Sequence, residues 1–178
     1  LAPAIARPRE EGGYELISGH RRHHASELAG RETMPVIIRN LDDDAATILM
    51  VDSNLQRETI LPSERAFAYK MKLEAIKHQG ARSDLTSCQV GTKLRTDEMM
   101  AENSNDSARQ IQRYIRLTNL IPELLEFMDE GKMALSVGVE LSYLDDQSQY
   151  DVLEQCEQND CTPSYSQAFR MHKADREG

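Results

Sequence analysis

Five consecutive residues, Ser18-Gly19-His20-Arg21-Arg22, carry the first side chains suited to chemistry. They stand where an alternating stretch, Tyr14-Glu15-Leu16-Ile17, gives way to a helical pattern from His20 to Ala29. Such a junction favours anions. Glycine lets a phosphate approach the backbone, N–H groups at a helix start face outward, and the helix dipole attracts negative charge. Arg21 and Arg22 add forked donors that match phosphate oxygens. On spacing alone a plain helix start with two solvated arginines is the simpler reading, because adjacent basic residues are common and the motif lacks the length of a P-loop.

A second group is Asp52-Ser53-Asn54-Leu55-Gln56-Arg57, at the end of a helical pattern and ahead of Leu61-Pro62. Asp and Asn oxygens can hold Mg²⁺ and an arginine can reach a phosphate. The same polar groups can instead cap the last helical carbonyls. His20 and His24 share a helix face with His23 beside them, as in some zinc sites, yet no third ligand stands at a recognisable spacing. We read these histidines as polar neighbours of an anion.

A third group has the layout of a helix-turn-helix. Thr96 to Glu102 forms a short helix, Asn103-Ser104-Asn105-Asp106 a polar turn, and Ser107 to Leu117 a second helix. Ile111, Tyr114 and Ile115 point inward, whereas Arg109, Gln110, Gln112, Arg113 and Arg116 point outward, with no acid among residues 107–117. Arginine pairs with guanine edges and glutamine with adenine edges in the major groove. Ser107 opens this helix, and Lys93 and Arg95 precede the motif as phosphate contacts. An ordinary amphipathic helix with a basic solvated face would read the same way.

The elements that must position these groups follow from pattern. Tyr14–Ile17 and Met34–Ile38 suit strands, with Pro35 restricting the second to an edge or a strand start. Asp42-Asp43-Asp44 cap a helix carrying Ile48, Val51 and Leu55. Pro62 opens a helix with Ala66, Tyr69, Leu73 and Ile76 on one face, ended by Gly80. Residues 81–95 have no periodicity and read as a linker between a domain at 1–80 and a helical domain at 96–178. In the latter, Pro122 and Gly131 bracket one helix, and residues 134–144, 147–158 and 163–174 continue the pattern.

Composition sets outer bounds. The 178 residues are 39% hydrophobic and 29% charged, with no Trp and three Phe, so the core must be aliphatic and Met-rich. No apolar run approaches a membrane span. Cys88, Cys156 and Cys161 form no CxxC pair, which argues against a disulfide framework or zinc ribbon and for a reducing compartment. The net charge is −9, and residues 123–178 hold 13 acids against 4 bases. The acidic excess therefore leaves the upstream helix free to carry a basic face. We read the acidic part as helical packing behind that face, its charge keeping its own surface off DNA, or as a docking face for a basic partner.

Together the motifs resemble the ParB family of partition proteins, including its KorB-like members. Gly19-His20-Arg21-Arg22-His23-His24-Ala25 is similar to the family's Gly-x-Arg-Arg motif, and Ser53-Asn54-Leu55-Gln56-Arg57 to its Glu-Asn-x-Gln-Arg motif. Leu61 to Tyr69 looks like the helix that follows, and Arg113-Tyr114-Ile115-Arg116-Leu117 with Leu120-Ile121-Pro122 like the recognition helix and its exit. Pro3-Ala4-Ile5-Ala6-Arg7-Pro8 is similar to an early family strand.

The resemblance implies an α+β N-terminal domain, ParB- and sulfiredoxin-like, followed by an all-α helix-turn-helix domain. It implies a homodimeric CTP-dependent clamp that binds a palindromic centromere-like site on double-stranded DNA in the cytoplasm, on nucleoid or plasmid. Ser18, Gly19, His20, Arg21 and Arg22 would hold the CTP triphosphate, Asn54 would place Mg²⁺, and Gln56 and Arg57 would support that loop. A ParA-type ATPase would be met through segments outside this chain, which starts at Leu1 and reads as a fragment. The family's glutamate before Asn54 is Ser53 here, which weakens the expectation of CTP hydrolysis; the glycine-motif Glu is His20. Two further readings follow: a KorB-like repressor without significant hydrolysis, and a nucleotide-dependent small-molecule kinase, whose fold is similar.

Overall fold

A computed structural model of the chain describes residues 3–57, 59–84, 96, 100–101, 104 and 106–177. The chain separates into two compact units, one of residues 1–57 and 71–99, the other of residues 58–70 and 100–178.

The first unit is built on a three-stranded sheet of β1 (Ala4–Pro8), β2 (Tyr14–Ser18) and β3 (Val36–Ile38), in the order β2-β1-β3. β1 runs antiparallel to β2, with Ala6 opposite Leu16 and Arg7 opposite Glu15, and parallel to β3, with Ile5 opposite Ile37. β3 is an edge strand, and Pro35 just before it accepts from the Ala4 N–H at 3.1 Å. The placement suits a residue with no N–H of its own to give. Arg7 fixes the sheet sideways: its guanidinium meets Glu15 on β2 at 2.6 Å and Asp43 at 2.6 Å. Those partners, Glu15 first, push the Arg7 pKa further up.

Helix α1 (His20–Leu28) packs on β1, and α2 (Asp43–Leu55) on β2. Asp42 caps α2 by accepting from the Ala45 N–H at 2.8 Å, and Asp43 and Asp44 fill the first turn, where carboxylates favour the dipole. Helix α3 (Pro62–Asp84) begins at its proline and continues past Gly80 to Asp84. The expected stop at Gly80 fails because a glycine in a helical conformation costs only about 1 kcal/mol relative to alanine and tertiary context overrides it. Within the first unit, Lys72 of α3 is 1% exposed and donates to Asp52 of α2 at 2.7 Å.

The second unit holds the start of α3 with α4 (Ala108–Leu117), α5 (Pro122–Asp129), α6 (Leu135–Leu141), α7 (Asp146–Asn159) and α8 (Tyr165–Glu177). Its core gathers Leu117, Leu120, Ile121, Leu124, Leu125, Met128, Val137, Leu141 and Leu153. Gly138 of α6 lets the helices close up: a Cβ there would lie 2.5 Å from Met128 Sδ and 3.3 Å from Leu117 Cδ2. Gln149 is 1% exposed and fully used. Its Oε1 accepts from the Ile121 N–H at 2.9 Å, and its Nε2 donates to the Asn119 and Leu144 carbonyls at 3.0 Å each. One buried amide thereby pins both the turn after α4 and the turn before α7. No helix among the described residues is long and apolar enough to cross a membrane.

Candidate functional site

The first unit brings the two N-terminal motifs to one cleft of about 360 Å³. β2 delivers Ile17 and Ser18, the start of α1 delivers Gly19 to Arg22, and the end of α2 delivers Met50, Ser53, Asn54 and Arg57. The motifs touch directly: Ser18 and Ser53 hydroxyls are 2.6 Å apart. Gly19 makes the junction possible. It has φ +105°, and a Cβ on it would lie 2.8 Å from Ala4 Cβ and 3.2 Å from Arg22 Nη2. The position therefore excludes a side chain both by conformation and by space.

The local chemistry fits a polyphosphate. The first helical bonds of α1 run from Arg22 and His23 N–H to the Gly19 carbonyl, so the N–H groups of His20 and Arg21 belong to the outward set of the helix start. Gly19 supplies no side-chain cap and the first turn has no acid, so nothing in the helix itself answers its positive end. Arg21 is exposed at the mouth. Arg22 is half-buried and donates to the Pro3 carbonyl at 2.7 Å, which ties the loop to the start of β1. Among the described residues the lining includes three arginines and no carboxylate.

Asn54 lines the cleft and is the residue there suited to a hard cation, while no group of three or more His, Cys, Asp or Glu able to hold a metal occurs among the described residues. A Mg²⁺ ion would therefore depend on nucleotide phosphates for most of its ligands, as that ion commonly does. Gln56 is not brought into the cleft: it is the exposed C-cap of α2. Asp52 turns away to Lys72. His23 and His24 both lie near Glu27, at 3.6 and 3.8 Å, on an exposed face of α1.

In the second unit, Ser107 caps α4, its hydroxyl accepting from the Gln110 N–H at 3.3 Å. Arg109 and Gln112 are exposed, and Gln110 and Arg113 are half-buried, with Arg113 Nη1 3.4 Å from Gln110 Oε1. Arg109 and Arg113 line a cleft with Ser136, Val139, Glu140 and Tyr165, none of which the sequence pattern had joined to α4. Tyr165 follows Thr162-Pro163 at the head of a helix, and that signal marks a helix start without revealing its neighbour. Arg116, expected outward, is instead drawn inward: it lies 3.9 Å over the Tyr143 ring and donates to the Ser142 carbonyl at 3.0 Å. A long side chain can fold back onto an aromatic ring wherever helical periodicity aims its Cβ.

The turn before α4 is braced. Tyr69 donates to Asp106 at 2.6 Å and contacts the Ser104 hydroxyl at 2.7 Å. Burial, reinforced by Asp106, pushes the Tyr69 phenol up to about 12. Arg65 reaches the same Asp106 at 3.5 Å and lies 5.3 Å over the Tyr114 ring. Lys93, Arg95 and most of the expected helix at 96–102 lie outside the described residues.

A profile of the ParB N-terminal domain matches residues 1–55. The chain is 32% identical over 133 residues to the chromosome-partitioning protein Spo0J of Thermus thermophilus, covering 75% of this chain and 42% of that protein. It is 30% identical over 155 residues to the stage 0 sporulation protein J of Bacillus subtilis, covering 87% of this chain and 49% of that protein. It thus spans less than half the length of either relative. The fold is shared with the C-terminally truncated chromosome-partitioning protein ParB of Caulobacter crescentus, whose crystal structure is a complex with the centromeric parS site. That likeness has a TM-score of 0.63 at 22% identity, over 100% of this chain and 83% of the other. With its Gly-x-Arg-Arg junction and the second motif folded against it, the chain belongs to the ParB family.

Proposed function

We propose that this chain is the nucleotide-sensing and DNA-reading part of a partition protein. Residues 1–80 bind CTP with Mg²⁺, residues 81–95 link, and residues 96–178 read a palindromic centromere-like site as a helix-turn-helix. The observation that carries the reading is the cleft in which Ser18–Arg22 and Ser53–Arg57 meet, with arginines and an uncapped helix start facing a space of nucleotide-binding size. Gly19 and Arg21 hold the triphosphate, Arg22 holds the loop, and Asn54 contributes an oxygen to the phosphate-bound Mg²⁺. When bound, the nucleotide supplies charge and binding energy that favour one of two conformations of a homodimer, which is how a clamp on DNA closes. On α4, Arg109, Gln112 and Arg113 face the bases, while Ser107, Lys93 and Arg95 face phosphates. A ParA-type ATPase is a partner of the longer protein, and the setting is the cytoplasm.

The test is capture of DNA fragments from the source replicon, sequenced with and without CTP–Mg²⁺ at near-physiological salt. A sharp inverted-repeat peak that broadens with CTP–Mg²⁺ supports the reading; a flat profile in both conditions removes it.

A second reading, a KorB-like repressor that binds CTP without hydrolysing it, is favoured by the cleft lining, which among the described residues has no carboxylate to activate water and has Ser53 where the family motif carries a glutamate. It predicts no phosphate release above background with CTP and DNA both present. Turnover abolished by Arg21→Ala would decide against it.

A further inference from the structure

Arg116 ends in a stack of three planar groups. Its guanidinium carbon is 3.9 Å from the Tyr143 ring centroid, and the His172 ring is 4.1 Å from the same centroid with planes 2° apart. Two groups this close to one centroid must take opposite faces, so Tyr143 is sandwiched. The stack is anchored at both ends. Arg116 Nη2 donates to the Ser142 carbonyl at 3.0 Å, at the C-cap of α6, where a cation meets the negative end of the helix dipole. His172 Nδ1 lies 2.8 Å from Glu140 Oε2, and both side chains are 14% exposed. Three elements are therefore clamped through one ring: α4 by Arg116, the end of α6 by Tyr143, and α8 by His172.

The geometry bears on how α4 presents itself. Arg116 follows Arg113 by three residues and Gln112 by four, so it lies one turn along the same side of the helix. Ile111 and Leu117 bury α4 in the core, and Tyr114 of the same helix packs against Arg65 and Tyr69. A guanidinium lying over a ring and hydrogen-bonded at its tip adds a constraint on rotation of the helix about its axis at its C-terminal end.

We infer that Tyr143 is a positioning residue for DNA reading, acting through Arg116 to fix the angle at which α4 presents Arg109, Gln112 and Arg113. The inference rests on the DNA-reading proposal above. It assigns Arg116 to holding the helix and removes it from the groups that touch DNA.

The experiment offers the chain a fully randomised duplex library, sequences the bound fraction, and measures total binding as a function of salt. It compares wild type with Tyr143→Phe, Tyr143→Leu and Arg116→Lys. Tyr143→Leu is expected to lose roughly tenfold in enrichment of the selected site, while the salt dependence of total binding is unchanged, because no phosphate contact has been removed. Tyr143→Phe, which keeps the ring, is expected to retain the enrichment, which a loss of general stability in Tyr143→Leu would not explain. Arg116→Lys, which replaces the planar guanidinium over the ring, is expected to fall with Tyr143→Leu. Unchanged enrichment in Tyr143→Leu beside a selective wild type overturns the inference alone. A shallower salt dependence in a fourth variant, Arg116→Gln, which removes the charge, also overturns it, by placing Arg116 on a phosphate. A wild type that selects no sequence overturns the DNA-reading proposal and this inference with it.

Discussion

In the helical unit, leucines, isoleucines and methionines from α4 to α7 meet in one buried cluster, whereas the sheet unit buries Ala4, Ala6, Ile17, Ala46, Val51, Ala75 and Ile76 and leaves Val36, Ile37 and Ile38 exposed. The difference is one of side-chain size at the points of closest approach. Around the cleft, strand and helix come together over Gly19 and Ala4, where nothing larger fits. Short side chains make a groove accessible to a ligand's phosphates but contribute little apolar area, at about 25 cal/mol per Å². The helical unit does the reverse, and its buried polar side chains Gln149 and Ser142 are both hydrogen-bonded, Gln149 three times. The groove proposed to hold a ligand and the scaffold proposed to present α4 thus make opposite demands on packing. On this view the sheet unit gains stability from its ligand and the helical unit already has it.

That contrast can be broken at four points. Leu124→Ala in the helical core, at a side chain 0% exposed, should cost about 2–5 kcal/mol in chemical denaturation. A cost below about 1 kcal/mol would mean that the helical core is not the stable partner. CTP–Mg²⁺ at a hundredfold excess over its Kd should stabilise by about 2.7 kcal/mol. Hydrogen exchange should place that protection in β2, α1 and the end of α2, and Gly19→Ala should abolish it. Protection centred on α5–α7 would contradict the assignment. Gln149→Leu should cost about 2 kcal/mol, since it strips partners from the Ile121 N–H and two carbonyls. The loss should appear as faster exchange at Ile121. Tyr69→Phe should cost about 1 kcal/mol near neutral pH. Because folding raises the Tyr69 phenol from 10.0 to about 12, its proton is held more tightly in the folded chain. The corresponding stability is complete below pH 10 and is lost as pH rises toward 12. The alkaline slope over that range should be smaller in Tyr69→Phe than in wild type.

Much of this layout was legible in the sequence for physical reasons. Caps are local signals, so Asp42 and Ser107 marked the starts of α2 and α4 correctly. The strand-to-helix junction at Gly19 was legible because glycine and paired arginines at such a turn are a compact pattern. The central place of β1 was not. Ala4 and Ala6 are its buried residues, and two alanines give no hydrophobic alternation to read. Gln56 was grouped with Asn54 by adjacency, yet the helix ends there and turns it out to solvent. Arg116 was misjudged because periodicity follows the Cβ, while the guanidinium ends wherever Tyr143 and Ser142 offer it a face and a carbonyl. The Ser18–Ser53 contact joins residues 35 apart in sequence and depends on α2 packing on β2, which no local pattern encodes.

The edge strand β3 has a consequence for how copies of the chain behave in concentrated solution. Val36, Ile37 and Ile38 are 42%, 44% and 51% exposed on a strand that, among the described residues, is paired on one side. A longer edge of this composition would be a template for cross-chain β-pairing and aggregation. Here the strand is three residues long and is preceded by Pro35, which has no donor to extend the ladder. Brevity and one proline thus act as a gatekeeper, keeping a sticky sequence from seeding fibres while the sheet retains the strand it needs.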